Sequence, residues 1–275
     1  MSLNTEKYHI FFRTKEKPNE NPERKNEDAL EVLQKQQQIV FALSDGAGGA
    51  GLLSAKWSDT LVTRCLEILP TKNNLNQWLD DFSFNFFRDE KEKISDLFKK
   101  TKFSKEGSFA TLVTGQINLK KHDISLITYG DSLFFHFNNN WDLEGFIPQL
   151  SLTDFLKNPY LINWKNEIYN HKIQEYQASI KVGDKLIIAS DALSLLILSL
   201  YKLKNAKSDE LQIILQNPLK NKLNQTVFNL KKYSLTLNKV IRSFQNDFTE
   251  TIAQLYKTNL LLKDDYSIIV IERDE

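Results

Sequence analysis

The sequence predicts a layered α+β domain, and three observations carry that reading. Strand and helix signals come in blocks rather than as alternating βαβ units, which points away from a doubly wound parallel sheet. The middle of the chain reads as consecutive strands. With 275 residues, 41% hydrophobic and 11% aromatic, the chain can also fill a sizeable core.

In chain order, His9–Arg13, Leu30–Leu33 and Gln38–Leu43 carry strand patterns. Leu53, Trp57, Thr60, Leu61, Arg64, Cys65 and Ile68 recur at helical spacing, and Pro70 closes that helix. Leu75–Lys100 reads as a second helical stretch, and Phe109–Leu119 as a strand. Ile124–Tyr129 and Leu133–Phe137 flank Gly130-Asp131-Ser132, which reads as a hairpin turn. Asp142–Ala178 has no clean period. Asp184–Ala189 is a strand ending in Ser190-Asp191, and Leu193–Leu262 is mostly helical. Asp264-Asp265-Tyr266 leads into a last strand, Ser267–Glu272.

Composition excludes several classes. A net charge of +1 gives no support to general nucleic-acid binding. The longest apolar stretch, Leu193–Tyr201, falls far short of the about 20 residues that cross a bilayer, so no membrane partner is expected. Met1–Lys7 carries no apolar signal core, and Cys65 is the only cysteine, which together point to the cytoplasm. Cys65 sits among Leu61, Val62, Leu66 and Ile68 and reads as core, as do the four tryptophans. His9, His122, His136 and His171 are dispersed without ligand spacing. Abundant Lys and Asn with little Gly and Pro hint at an AT-rich bacterial source.

The sharpest local feature is Asp45-Gly46-Ala47-Gly48-Gly49 at the end of the run Ile39–Leu43. Four of the nine glycines (Gly46, Gly48, Gly49, Gly51) fall within six residues. Glycine belongs where backbone needs positive φ or must approach another group closely. Asp191 also ends a strand, Asp131 sits in a turn, Asp264 opens the last strand, and Glu27-Asp28 precedes an early one. If the strands pack as sheets, these carboxylates converge on one rim. Such a cluster repels itself unless cations neutralise it, and an all-oxygen donor set selects Mg²⁺ or Mn²⁺ over softer ions. Two such ions a few ångströms apart would acidify a shared water and aim it at phosphorus. Gly46–Gly51 also spells a dinucleotide-binding fingerprint, but the second strand that motif needs would fall at Leu66–Asn74, where Pro70 interrupts.

In order, Asn26-Glu27-Asp28-Ala29, Phe41–Gly49, Gly107-Ser108-Phe109-Ala110, Tyr129-Gly130-Asp131-Ser132, Gly183–Asp191 and Asp264–Val270 resemble the motifs of the metal-dependent, type 2C serine/threonine phosphatases. The resemblance spans residues 26–270. It implies one domain over 1–275, a four-layer α-β-β-α sandwich with two central, mainly antiparallel sheets. A variable, helical, basic flap-like insertion would lie within 193–262; Tyr201–Arg242 holds nine Lys/Arg against Asp209 and Glu210. It implies hydrolysis of phosphoserine and phosphothreonine in proteins, with Asp45, Asp191 and Asp264 as catalytic metal ligands. Asp45 would bridge two Mn²⁺ or Mg²⁺ ions and Gly46 would lend its carbonyl. Asp131 with Asp191 would serve a third, weaker ion, and Glu27 and Asp28 would act directly or through water. Arg24 would bind the substrate phosphate, with Arg13 or a lysine as the alternative. The partners implied are a phosphorylated protein and a cognate serine/threonine kinase.

The alternative is a pseudophosphatase that binds a phosphoprotein or a kinase without hydrolysis. It rests on Ala192, which replaces a glycine after the second key Asp, and on Phe109, which replaces a small polar residue. A Cβ at 192 would strain a turn of positive φ.

Overall fold

The computed structural model describes residues 1–5, 7–18, 26–205 and 209–274. The first strands are β1 (Ser2–Asn4), β2 (Tyr8–Lys15), β3 (Ala29–Lys35) and β4 (Gln38–Ser44). Helices α1 (Ser54–Glu67), α2 (Leu75–Lys93) and α3 (Leu97–Glu106) follow. Next come β5 (Phe109–Ala110), β6 (Leu112–Asn118), β7 (Asp123–Tyr129), β8 (Leu133–Phe137), β9 (Leu143–Ile147), β10 (Ile162–Asn163), β11 (Gln174–Ser179) and β12 (Lys185–Ala189). Helices α4 (Asp191–Lys204), α5 (Asp209–Gln216), α6 (Lys222–Tyr233), α7 (Leu237–Asn246) and α8 (Phe248–Lys257) precede the last strand, β13 (Tyr266–Arg273).

Two antiparallel sheets stack face to face. One runs β1-β2-β13-β12-β8-β9 and the other β11-β7-β6-β4-β3. Alternation along each strand sorts its side chains between two cores. In β13, Ile269 and Ile271 enter the core between the sheets, while Ile268 and Val270 face the helices α4–α8. In β4, Phe41 and Leu43 face the other sheet, while Ala42 meets α1 and α2. Three cores thus separate four layers, α-β-β-α, as expected for an α+β sandwich. Strands with both faces covered must be apolar on both, and Ile39–Leu43 and Ile268–Ile271 are. Helix α4 is apolar all round because it lies between the sheet and the outer helices; Ala192–Leu200 are all buried.

Three local expectations need correction. Leu75–Lys100 is two helices, since Asp96 starts α3 by accepting from the Lys99 backbone N–H at 2.7 Å. The strand expected over Phe109–Leu119 breaks at Thr111, with β5 pairing β10 outside both large sheets. Gly130-Asp131-Ser132 is not a hairpin turn. β7 pairs β6 and β11 in one sheet, and β8 pairs β9 and β12 in the other, so these residues cross between the sheets. Gly130 makes the crossing at φ 112°, against the Thr111 side chain, where a Cβ would come within 2.6 Å.

Other expectations hold. Trp57 is fully buried, its ring tilted against those of Phe82 and Phe86, with its indole N–H donating to Ile162 O at 3.1 Å. Cys65 is buried, and burial pushes its thiol up to about 12. No strand follows the glycine cluster over Leu66–Asn74, so the dinucleotide motif lacks its partner. No helix among the described residues is long and apolar enough to cross a membrane.

Candidate active site

One end of the stacked sheets opens into a cleft of about 750 Å³. Asp45, Asp131, Asp191, Asp264 and Glu27 all reach it, joined by Gly46. They arrive from the end of β4, the β7–β8 crossing, the start of α4, the approach to β13 and the approach to β3. Five separate stretches of sequence therefore place acid groups on one rim.

Short polar contacts fix each arrival. The backbone N–H of Asp45 donates to Thr111 Oγ1 at 3.1 Å, and its carbonyl accepts from the Thr111 N–H at 2.8 Å. Thr111 Oγ1 also meets Ser132 Oγ at 2.8 Å, which ties the β4 end to the Asp131 crossing. Ser190 and Ser267 exchange two bonds of 3.0 Å, setting Asp191 against the start of β13. Asp265 is buried and accepts from the Lys17 N–H at 2.7 Å and the Glu27 N–H at 2.9 Å. Gly46, Gly48 and Gly51 serve close approach: a Cβ at Gly46 would meet Glu27 O at 2.6 Å. None of Gly46, Gly48, Gly49 or Gly51 needs positive φ.

The electrostatics follow from this crowding. Burial, then the charges of Asp28, Asp131 and Asp264, raise Asp45 well above the usual carboxylate range. Burial, then Asp45, Asp264 and Asp131, do the same to Asp191. Burial foremost, with Asp264 adding to it, lifts Asp131 to about 6. Asp28 sits just behind the cleft and is raised by burial and by Asp265, Asp191 and Asp264. The nearby Ser267 hydroxyl donates instead to Thr14 Oγ1 at 2.8 Å, and both Asp28 carboxyl oxygens are buried with no hydrogen-bond partner. Orphaned carboxylate oxygens behind a ring of destabilised carboxylates, all of them hard oxygen donors, fit a divalent cation such as Mg²⁺ or Mn²⁺. Among the described residues the acids surround the cleft without closing into a ready-made cage of three or more ligands.

Of the residues singled out from sequence, the structure brings together Asp45, Gly46, Asp131, Asp191, Asp264, Glu27 and Asp28. Arg24 lies outside the described residues. Ala192 sits inside α4 without positive φ, so its Cβ is accommodated there. Phe109 lines the cleft beside Ala47, whose N–H donates to the Phe109 carbonyl at 2.9 Å. Sequence reasoning missed Thr111, Asp265 and Lys17. Asp265 carried a usable signal, being the second acid of Asp264-Asp265; the other two carried none.

The lip of the cleft is Phe155 and Lys157–Leu161. Helices α4–α7 shape a different hollow of about 710 Å³, walled by leucines with Trp141 and Tyr201 and lined by Lys204 and Lys231. It contains no acid and stands apart from the carboxylates.

Stacked sheets between helical layers, with acids at one end of the sandwich, define the fold of the type 2C serine/threonine phosphatases. The chain is similar over its whole length to the serine/threonine phosphatase Stp1 from Staphylococcus aureus, at 15% identity and TM-score 0.56, covering 100% of this chain and 98% of that one. RsbX in complex with magnesium is similar at 12% identity and TM-score 0.54, with coverage of 100% and 99%. The catalytic domain of the phosphatase PstP with two manganese ions follows at 14% identity and TM-score 0.51, with coverage of 98% and 99%. No protein-family model and no curated protein matches the sequence.

Proposed function

We propose that this chain is a divalent-metal-dependent phosphatase that hydrolyses phosphoserine and phosphothreonine in proteins. The observation that supports this most is the convergence of Asp45, Asp131, Asp191 and Asp264 on one cleft, with burial and the neighbouring acids opposing the charges of Asp45, Asp131 and Asp191. Evolution has little reason to keep such a destabilising cluster unless cations use it. Asp45 and the Gly46 carbonyl would hold one ion, with Asp45 shared with a second ion held by Asp191 and Asp264. Asp131 with Asp191 would hold a weaker third, and Glu27 and Asp28 would act directly or through water. Bound there, Mn²⁺ or Mg²⁺ supplies an acidified water for attack on phosphorus and charge to match the phosphoryl oxygens.

The residues of the chain do the rest. Thr111 fixes the backbone of Asp45 at the end of β4, and the Ser190–Ser267 bonds set the chain at Asp191 against the start of β13. Asp265 holds the Glu27 loop in place. Phe109 and Ala47 form an uncharged wall, and the lip at Lys157–Leu161 would receive the peptide flanking the phosphoresidue. Arg24 is our candidate for the phosphate contact. The substrate is a phosphoprotein, and a serine/threonine kinase that supplies it is the matching partner. A single cysteine, buried and unpaired, suits a reducing cytoplasm.

The test is hydrolysis of p-nitrophenyl phosphate and of a phosphothreonine peptide, with and without Mn²⁺, beside Asp191→Asn. Metal-dependent turnover that vanishes in the variant is the expected result. Mn²⁺ binding without turnover would move the chain to the pseudophosphatase reading. Neither binding nor turnover would sink the metal site.

A further inference from the structure

Lys17 puts an ammonium group among the acids of the cleft. Its Nζ stands 3.2 Å from Asp264 Oδ1, 3.7 Å from Glu27 Oε2 and 3.9 Å from Asp265 Oδ2. Its side chain is only 14% exposed, so this is no solvated surface pair. The backbone is held as well, since the Lys17 N–H donates to Asp265 Oδ1 at 2.7 Å while Oδ2 of the same carboxylate takes the Glu27 N–H at 2.9 Å. Asp265 thus clamps the segment just past β2 that carries Lys17 and the loop carrying Glu27 to the start of β13.

We propose that Lys17 is a tethered counter-ion of the metal centre: its ammonium neutralises Asp264 and Glu27 in the metal-free protein and competes with the divalent cation for the Asp264 side of the cleft. This rests on the metal-dependent reading above. A monovalent charge a few ångströms from a carboxylate stabilises it, yet the same charge beside a divalent ion repels that ion. Lysine suits this better than arginine: it is a compact point charge on a flexible stem, able to withdraw when a stronger cation arrives. The consequence is a centre that stays folded when metal is scarce and binds the divalent cation with a lowered apparent affinity.

The experiment uses the full chain stripped of metal, as wild type, Lys17→Met and Lys17→Arg, with Lys17→Gln as a second neutral side chain should the methionine variant fail to fold. Mn²⁺ affinity is read by calorimetry, and Tm is read in chelator and in saturating Mn²⁺. The neutral variant should bind Mn²⁺ about tenfold tighter, the factor expected for a single and a double charge several ångströms apart in a watery cleft. Its Tm in chelator should fall below that of wild type, and the gap should close in saturating Mn²⁺. Lys17→Arg should stay close to wild type in both. General damage to the site would weaken metal binding, so tightening is the distinguishing sign. Unchanged or weaker binding in the neutral variant overturns the counter-ion role, as does unchanged affinity with a raised KM for phosphopeptide, which would make Lys17 a phosphate contact. Wild type that binds no Mn²⁺ at all fails the metal reading itself, and this inference with it.

Discussion

A Cβ placed on Gly48 would stand 1.9 Å from Glu27 Oε1, inside the space the carboxylate occupies. The same oxygen accepts from Ser54 Oγ at 2.6 Å, so Glu27 is held against bare backbone from one side and by the start of α1 from the other. Gly49, one residue on, has nothing within 4 Å of its own notional Cβ. The glycine-rich turn thus contains one position where a side chain must displace an acid and one where it meets open space.

Gly48→Ala should therefore push Glu27 off its seat, while Gly49→Ala should not. We expect Gly48→Ala to lose about tenfold in phosphopeptide turnover at limiting Mn²⁺ for a stability cost on the order of 1 kcal/mol. Gly49→Ala should match wild type in turnover, and steady-state kinetics with thermal unfolding reads both. Equal behaviour of the two variants would remove Glu27 from the mechanism.

Asp45→Asn separates stability from function. The charge at Asp45 is opposed by burial and by Asp28, Asp131 and Asp264. An amide of the same shape relieves that repulsion, so the metal-free variant should melt above metal-free wild type while turnover is abolished. Wild type should gain about 2.7 kcal/mol at a hundredfold excess of Mn²⁺ over its Kd, about 5 °C in Tm for a chain of this size. The variant should gain little. A variant that keeps a near-normal rate contradicts the role assigned to Asp45.

The layered α+β class and the strand-end acids were legible in the sequence because both are local. Short continuous apolar runs such as Ile39–Leu43 announce strands buried on both faces, and an acid just past such a run sits at the end of the strand. Which sheet a strand joins is not local. Gly130-Asp131-Ser132 has ordinary turn chemistry, and only the pairing of β8 with β12 shows that it crosses between sheets. Lys17 and Asp264 are 247 residues apart in sequence, so no spacing rule joins them. Asp142–Ala178 looked aperiodic because it holds strands of two to six residues and two 3-10 turns, each too short to set a period.

Lys231 and Lys232 test whether the basic helices meet substrate. Both are exposed at the end of α6, and Lys231 lines the leucine-walled hollow rather than the acidic cleft. A double change to Glu should leave phosphopeptide kcat/KM at low salt within about twofold of wild type, since neither lysine lines the acidic cleft and both are solvated at the surface. A several-fold loss would put α6 in the path of the substrate.

Asp154 offers a pH test at the lip. Its Oδ2 accepts from the Ser151 N–H at 2.8 Å and from Ser151 Oγ at 2.7 Å, and Oδ1 accepts from Lys157 Nζ at 2.6 Å. The Lys157 bond first, then the two from Ser151, hold its carboxyl at about 2. These contacts close the 3-10 turn Leu152–Leu156 that leads into the lip of the cleft. The folded carboxyl titrates below the unfolded value of about 3.9, so the unfolded chain takes up the proton first as pH falls. The contribution of Asp154 is therefore complete above about pH 5 and is lost as pH drops towards 2. Asp154→Asn should be less stable than wild type at pH 7 by on the order of 0.5–1 kcal/mol, the worth of a capping box on a partly exposed turn. Denaturant titrations at stepped pH should show the two proteins converging below about pH 4 and meeting near pH 2. A difference that stays constant down to pH 2 would mean that packing, not the charge on Asp154, holds the lip in place.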